Sequence, residues 1–202
     1  MFYFWAFTGL SIERFLYGWI YHFPDSFKAA CGKSPLSDVL QWAEGKYWDV
    51  AKRLGVYIKV FQFGIIGWDV LIRHGLRLSS QPVLIVVGLV LVAIGQVLNA
   101  AVFNAIGAIG VYYGGQLGYE VPWCTCFPYN TGISDPQYWG VILFIWGVYI
   151  VMAPTANILD SYYFIPWVET FWYVTSMKLL ESSDNGTAVL QLLGLKKAKE
   201  GK

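Results

Sequence analysis

Long apolar runs separated by short polar ones set the first expectations for this chain. Phe2 to Phe23 is aromatic-rich and long enough to cross about 30 Å of hydrocarbon. It carries Glu13 and Arg14 near its middle, where charge is costly unless it pairs, faces protein or reaches water. Two readings fit: an interfacial helix with a solvated charge pair, or a first span lining a polar pocket. Pro24 to Ala51 reads as a loop of mixed charge with a short surface helix through Val39 to Trp42. Tyr57 to Ile72 is the next span, with Lys59 and Asp69 expected to snorkel toward its two ends. Pro82 to Tyr113 is the longest apolar run and exceeds one membrane thickness, so it must tilt, bend or emerge. Tyr138 to Met152 is an uncharged span. Ile158 to Leu180 returns, with Pro166 as an expected kink and Glu169 placed to pair with Arg14 or face a cavity.

The pattern predicts an all-α integral membrane bundle of four to five transmembrane helices, with a polar loop rich in glycine and aromatics before the fourth. The spans and loops form one membrane domain over residues 1–202: an N-terminal span and surface loop (1–53), a core (54–184) and a basic tail (185–202). Lysines concentrate in the first loop and the tail, whereas the loop from Gly114 to Gln137 has neither Lys nor Arg. With five spans these three segments share one side, and the positive-inside rule makes that side cytosolic.

One junction draws attention. A turn-rich segment, EVPWCTCFPYNTGIS, runs into Asp135-Pro136-Gln137-Tyr138-Trp139-Gly140 and then into apolar sequence. Pro136 suits the first turn of a helix, and Asp135 before it suits the cap. Tyr138 and Trp139 favour a membrane–water interface. Gly140 leaves room for a cofactor or a neighbouring helix to approach the backbone. Upstream, Gln96 and Asn99 share a helix face, and amides in hydrocarbon need partners, whether across a helix–helix contact or in a site. Glycines gather around Tyr112 and Tyr113, as where a helix breaks near a ligand or packs closely.

Composition agrees with the pattern. Of the 202 residues, 56% are hydrophobic and 13% charged, about half the charged share of a soluble domain. Mean hydropathy is +0.48. A net charge of +1 gives no nucleic-acid footprint. Three cysteines without repeated spacing argue against a disulfide framework, and two histidines distant from them argue against a metal site. The N-terminus shows no cleavable signal pattern.

GQVLN at Gly95–Asn99, GVYYG at Gly110–Gly114, VPWCTCFPY at Val121–Tyr129, DPQYWG at Asp135–Gly140 and LLESSD at Leu179–Asp184 occur in that order. Together they resemble the phospholipid N-methyltransferase family, which acts on phosphatidylethanolamine and phosphatidyl-N-methylethanolamine, and most of all its plant and algal branch. The likeness is good from Tyr57 to Asp184 and extends to the N-terminal third only in layout. It implies a membrane enzyme of the endoplasmic reticulum, or of a mitochondrial or other organelle membrane. Such an enzyme uses S-adenosylmethionine to methylate a phospholipid head-group amine toward phosphatidylcholine. The family's glycine pair is here Ala93 and Gly95, and its glutamate pair is reduced to Glu181 followed by Ser182. The implied cofactor-binding residues are Gly95, Gln96, Asn99, Tyr113, Pro136, Tyr138, Gly140 and Glu181, with Tyr112 and Trp139 facing the methylated substrate. No residue is assigned as catalytic, and no metal is expected.

The chemistry suits these residue types. Methyl transfer from a sulfonium needs an aligned methyl and a neutral amine, so orientation supplies much of the rate. Glu181 can pair with the donor's ammonium, the helix begun by Pro136 can meet its carboxylate, and aromatic faces can hold a methylated cation. One tension stands: in an unbroken helix Gly95 lies about 27 Å from Tyr113. The competing reading is a non-catalytic relative serving as a structural subunit beside other membrane subunits.

Overall fold

The computed structural model describes residues 1–192, so the lysines of the KKAKEGK end lie outside the described residues. Among the described residues the secondary structure is entirely helical. Eight α-helices follow in order: α1 (Phe2–His22), α2 (Pro24–Cys31), α3 (Leu36–Trp42), α4 (Tyr47–Trp68), α5 (Pro82–Val111), α6 (Pro136–Val151), α7 (Phe164–Thr175) and α8 (Asn185–Leu192). Single π-turns, Asp69–Arg73 and Ser176–Leu180, prolong α4 and α7. Two stretches are long and apolar enough to cross a membrane, Tyr47–Arg73 and Pro82–Val111, and Pro136–Val151 is a shorter apolar helix.

Five helices carry the architecture, and their contacts show them alternating in direction. Tyr3 at the start of α1 meets Arg73 beyond the end of α4 at 3.0 Å. The N–H of Tyr47, opening α4, donates to the Tyr119 hydroxyl beyond α5 at 3.0 Å. Ser79, before α5, bonds to Val151 at the end of α6 at 2.9 Å. Tyr138 near the start of α6 reaches Glu181 beyond α7. The first loop, the glycine-aromatic loop and the segment entering α8 therefore share one end of the bundle.

Small residues set how closely α5 and α6 approach. A methyl on Gly95 would stand 2.5 Å from the Gly140 carbonyl oxygen, and one on Gly140 would stand 2.9 Å from the Gly95 carbonyl. Gly88 and Gly147 oppose each other in the same reciprocal way, at 2.7 and 2.6 Å. The pairs recur at seven-residue spacing on both helices, which is a small-residue seam of the kind that lets helices approach in lipid. Along α5 the faces turned away from this seam leave Val83, Val86, Leu89, Val90, Ile94 and Val97 exposed, as suits a hydrocarbon solvent.

α5 does not run straight to its end. Gly107 has φ 65° and ψ 174°, a conformation open in practice only to glycine, so the long apolar run breaks there. This resolves the expected excess over one membrane thickness by a bend.

Several charged residues sit differently from expectation. Glu13 and Arg14 are both 2% exposed and paired to each other, so the solvated interfacial reading of α1 is corrected. Lys59 does not snorkel outward but turns in to Glu13 at 2.5 Å. Asp69 is buried, bonded to Arg73 at 2.5 Å and to the Tyr149 hydroxyl at 2.8 Å. For the buried Glu13, Arg14 and Asp69 the cause is shared: a charge removed from water lowers its cost by pairing with an opposite one. Pro166 lies in the first turn of α7, where its missing N–H breaks no helical bond, and produces no kink.

Candidate active site

The five principal helices enclose a cavity of about 270 Å³. α1 contributes Glu13, Arg14 and Tyr17, and α4 contributes Lys59 and Gln62. Gln96 and Asn99 come from α5, Gln137 and Tyr138 from α6, and Glu169 and Tyr173 from α7. A second cavity of about 290 Å³ adjoins it toward the glycine-aromatic loop, lined among others by Gly115, Gln116, Asp135, Pro136 and Glu181. Val111, Tyr113, Gln137 and Tyr138 line both, so they form the partition between an inner and an outer chamber.

Glu181 is held at that partition. The Tyr138 hydroxyl donates to its carboxylate, with distances of 2.7 and 2.6 Å to the two oxygens, and the Tyr113 hydroxyl donates to Oε2. The two tyrosine oxygens are 3.0 Å apart. The backbone makes this convergence possible. Tyr113 follows the end of α5 with φ 59°, a left-handed conformation that costs a bulky residue energy and concentrates at functional sites. The π-turn Ser176–Leu180 closes with the Glu181 N–H on the Ser176 carbonyl at 2.9 Å, which fixes where the carboxylate emerges.

Burial pushes the Glu181 carboxyl above its ordinary range, while Arg14 and the two tyrosine hydroxyls pull it down. Burial also raises Asp135, against the pull of Lys178. Asp135 occupies the cap position of α6 as expected, with Pro136 in the first turn. It is left-handed at φ 50°, and its side chain makes no cap bond. Its carbonyl receives the Tyr138 N–H at 2.9 Å instead. The carboxylate is thereby left to the outer chamber rather than spent on the helix.

The inner chamber is built on ions. Glu13 pairs with Arg14 and Lys59. Lys59 also donates to the Tyr173 hydroxyl at 2.8 Å and to Gln62 at 3.3 Å. The Arg14 guanidinium lies over the rings of Tyr173, Tyr138 and Tyr17 at 4.3, 5.0 and 5.2 Å, a desolvated cation–π arrangement.

Of the residues singled out in the sequence, Gln96, Asn99, Tyr112, Tyr113 and Tyr138 meet around the inner chamber, and Pro136 and Glu181 line the outer one. Gly95 and Gly140 face each other at the helix seam, where each makes room for the other's backbone. Trp139 turns away, into an open apolar groove with Ala93, Ile94 and Leu143. Sequence reasoning noticed Glu13, Arg14, Lys59 and Glu169 without gathering them into a site. The available signal was their position inside apolar runs, where ionisable residues default to function. Tyr173 and Tyr17 carried no signal of their own. Cys124 and Cys126 bring their sulfurs together within the loop, a local pairing rather than a framework of cross-links. Among the described residues no cluster of metal-ligating side chains occurs.

Residues 83–182 match the family model for phospholipid methyltransferase. Among curated proteins, phosphatidyl-N-methylethanolamine N-methyltransferase of Arabidopsis thaliana is 47% identical over 53 residues, 26% of this chain. The match covers 32% of that relative, so the likeness spans about a third of its length. No solved structure matches the chain.

Proposed function

We propose, from the premise that residues 83–182 belong to the phospholipid methyltransferase family, that this chain methylates the head-group amine of phosphatidylethanolamine already carrying one or two methyl groups, toward phosphatidylcholine. The five principal helices are read as spans of an organelle membrane, the endoplasmic reticulum first among candidates. The observation that carries the reading is the Glu181 carboxylate, gripped by Tyr113 and Tyr138 where the two chambers meet.

The residues present suit S-adenosylmethionine. Glu181 and Asp135 give the outer chamber two carboxylates for the donor's cationic centres, and the faces of Tyr113 and Tyr138 suit a sulfonium. The start of α6 offers the Gln137 N–H, which no side chain caps, for the donor's carboxylate. When bound, S-adenosylmethionine supplies an electrophilic methyl group. The chain's own part is orientation: Tyr113 and Tyr138 fix the Glu181 carboxylate, and their rings bound the passage between chambers. The inner chamber, walled by all five helices, keeps water from the amine.

Titration calorimetry of the purified protein with S-adenosylmethionine tests this reading. Saturable binding that Glu181→Gln weakens supports it. Absence of binding by a well-folded wild-type protein would remove its basis.

A further inference from the structure

Glu169 of α7 lines the inner chamber and is 3% exposed, yet among the described residues no hydrogen bond or ion pair reaches its carboxylate. A buried carboxylate without a donor is costly and uncommon. The surrounding cations have already been spent. Lys59 is ion-paired with Glu13 and donates hydrogen bonds to the Tyr173 hydroxyl and Gln62. Arg14 gives Nη2 to Glu13, while its Nη1 is buried with no acceptor. Glu13, Arg14 and Lys59 are the charged groups that face Glu169 from α1 and α4. Glu13 Oε2 also lacks a completed hydrogen bond but has two cations in ion-pair contact, so Glu169 is the chamber's carboxylate with neither, and Arg14 Nη1 is its guanidinium nitrogen short of an acceptor.

Those two vacancies match one zwitterion. We infer that the inner chamber is the head-group site, in which Glu169 receives the ammonium of a phosphoethanolamine-type ligand while Arg14 Nη1 faces its phosphate oxygens. This rests on the functional reading above and adds the substrate's place within it: methyl donor outside the tyrosine partition, amine inside. Glu13 cannot take the ammonium role, because Arg14 and Lys59 already occupy it. Glu181 lines the outer chamber and not the inner one, so it does not meet a ligand held there. The same head-group chemistry occurs on a lipid and as a soluble phosphate ester, and the two are separable by experiment.

The test is binding without methyl donor. Purified protein in nanodiscs is titrated with short-chain phosphatidyl-N,N-dimethylethanolamine, with soluble N,N-dimethylphosphoethanolamine, and with short-chain phosphatidylglycerol, which has no amine. Glu169→Gln is expected to weaken the amine lipid at least tenfold and leave phosphatidylglycerol within twofold. Its melting temperature without ligand should be no lower than wild type, because an unpaired buried charge has been removed. Glu169→Asp, which keeps the charge but withdraws it, should fall between. Soluble head group binding as tightly as the lipid, with the same loss in Glu169→Gln, would keep the site and move its ligand to water. Equal amine-lipid affinity in wild type and Glu169→Gln, or no amine-selective binding by wild type, overturns the assignment. Affinity for S-adenosylmethionine on the same samples reports separately: its absence in wild type counts against the methyl-donor reading and not against this site.

Discussion

At the scale of single residues, the sequence singles out Glu181, a carboxylate after an apolar run, as a candidate ammonium partner. The structure sets that carboxylate on the outer chamber between two tyrosine hydroxyls, which the sequence did not reveal because they come from distant segments. Glu181→Gln should preserve the fold and cost about 1–3 kcal/mol of donor binding, roughly ten- to hundredfold in affinity, measurable by calorimetry. The pH dependence follows from the direction of its shift. Its folded carboxyl lies above the ordinary value of 4.5, so its contribution to folding is full in acid and is lost as pH rises through the raised value. Donor binding runs the opposite way, since only the ionised form attracts an ammonium. Donor affinity should therefore fall on acidification through that raised value, and Glu181→Gln should flatten most of that slope. Any remainder belongs to Asp135, shifted in the same direction. An undiminished acid loss in Glu181→Gln would transfer the role to Asp135.

At the scale of elements, the apolar pattern located α1, α5 and α6 closely, whereas α4 opens at Tyr47 rather than the expected Tyr57 and the expected loop Pro24 to Ala51 carries α2 and α3. What it could not locate was which glycines bend, pack or line a site. Gly95, Gly107 and Gly140 look alike in sequence because a missing side chain says nothing about what approaches the gap. The structure separates them: Gly107 turns the end of α5, while Gly95 and Gly140 let α5 and α6 touch. Gly140→Ala would raise helix propensity by about 1 kcal/mol. Its methyl would also meet the Gly95 carbonyl at 2.9 Å and the Asn99 side chain at 3.1 Å. Overpacking against backbone typically costs about 1–3 kcal/mol, so the steric term should equal or exceed the gain. The expected outcome is a lower melting temperature without ligand, with any ligand-induced shift preserved. A mutant of unchanged stability that no longer binds donor would instead make Gly140 a cofactor contact. The charged residues of α1, α4 and α7 were harder to read for a related reason. A helix shows that a charge is buried only when its neighbours are known, and Glu13, Lys59 and Glu169 meet across three separate helices.

At the scale of the whole molecule, the alternation of five helices places the first loop, the glycine-aromatic loop and Glu181 at one end. Lys28, Lys33 and Lys46 of the first loop favour that end facing the cytosol. Asn185-Gly186-Thr187 fits a glycosylation acceptor pattern and lies at the same end. In the native protein Asn185 should carry no glycan, as mass spectrometry of the intact chain would show; a glycan there would put the outer chamber in the lumen. That these segments share one end was foreseeable from the alternation of apolar runs, but the ionic chamber between the helices was not. The most direct measurement is methyl transfer itself. Purified protein in nanodiscs containing phosphatidyl-N-methylethanolamine is supplied with methyl-labelled S-adenosylmethionine. Label should enter the dimethyl and trimethyl lipids with wild type and fall at least tenfold with Glu181→Gln. A folded wild-type protein that binds the donor yet leaves every lipid unlabelled would contradict a phospholipid methyltransferase and return the chain to a structural role.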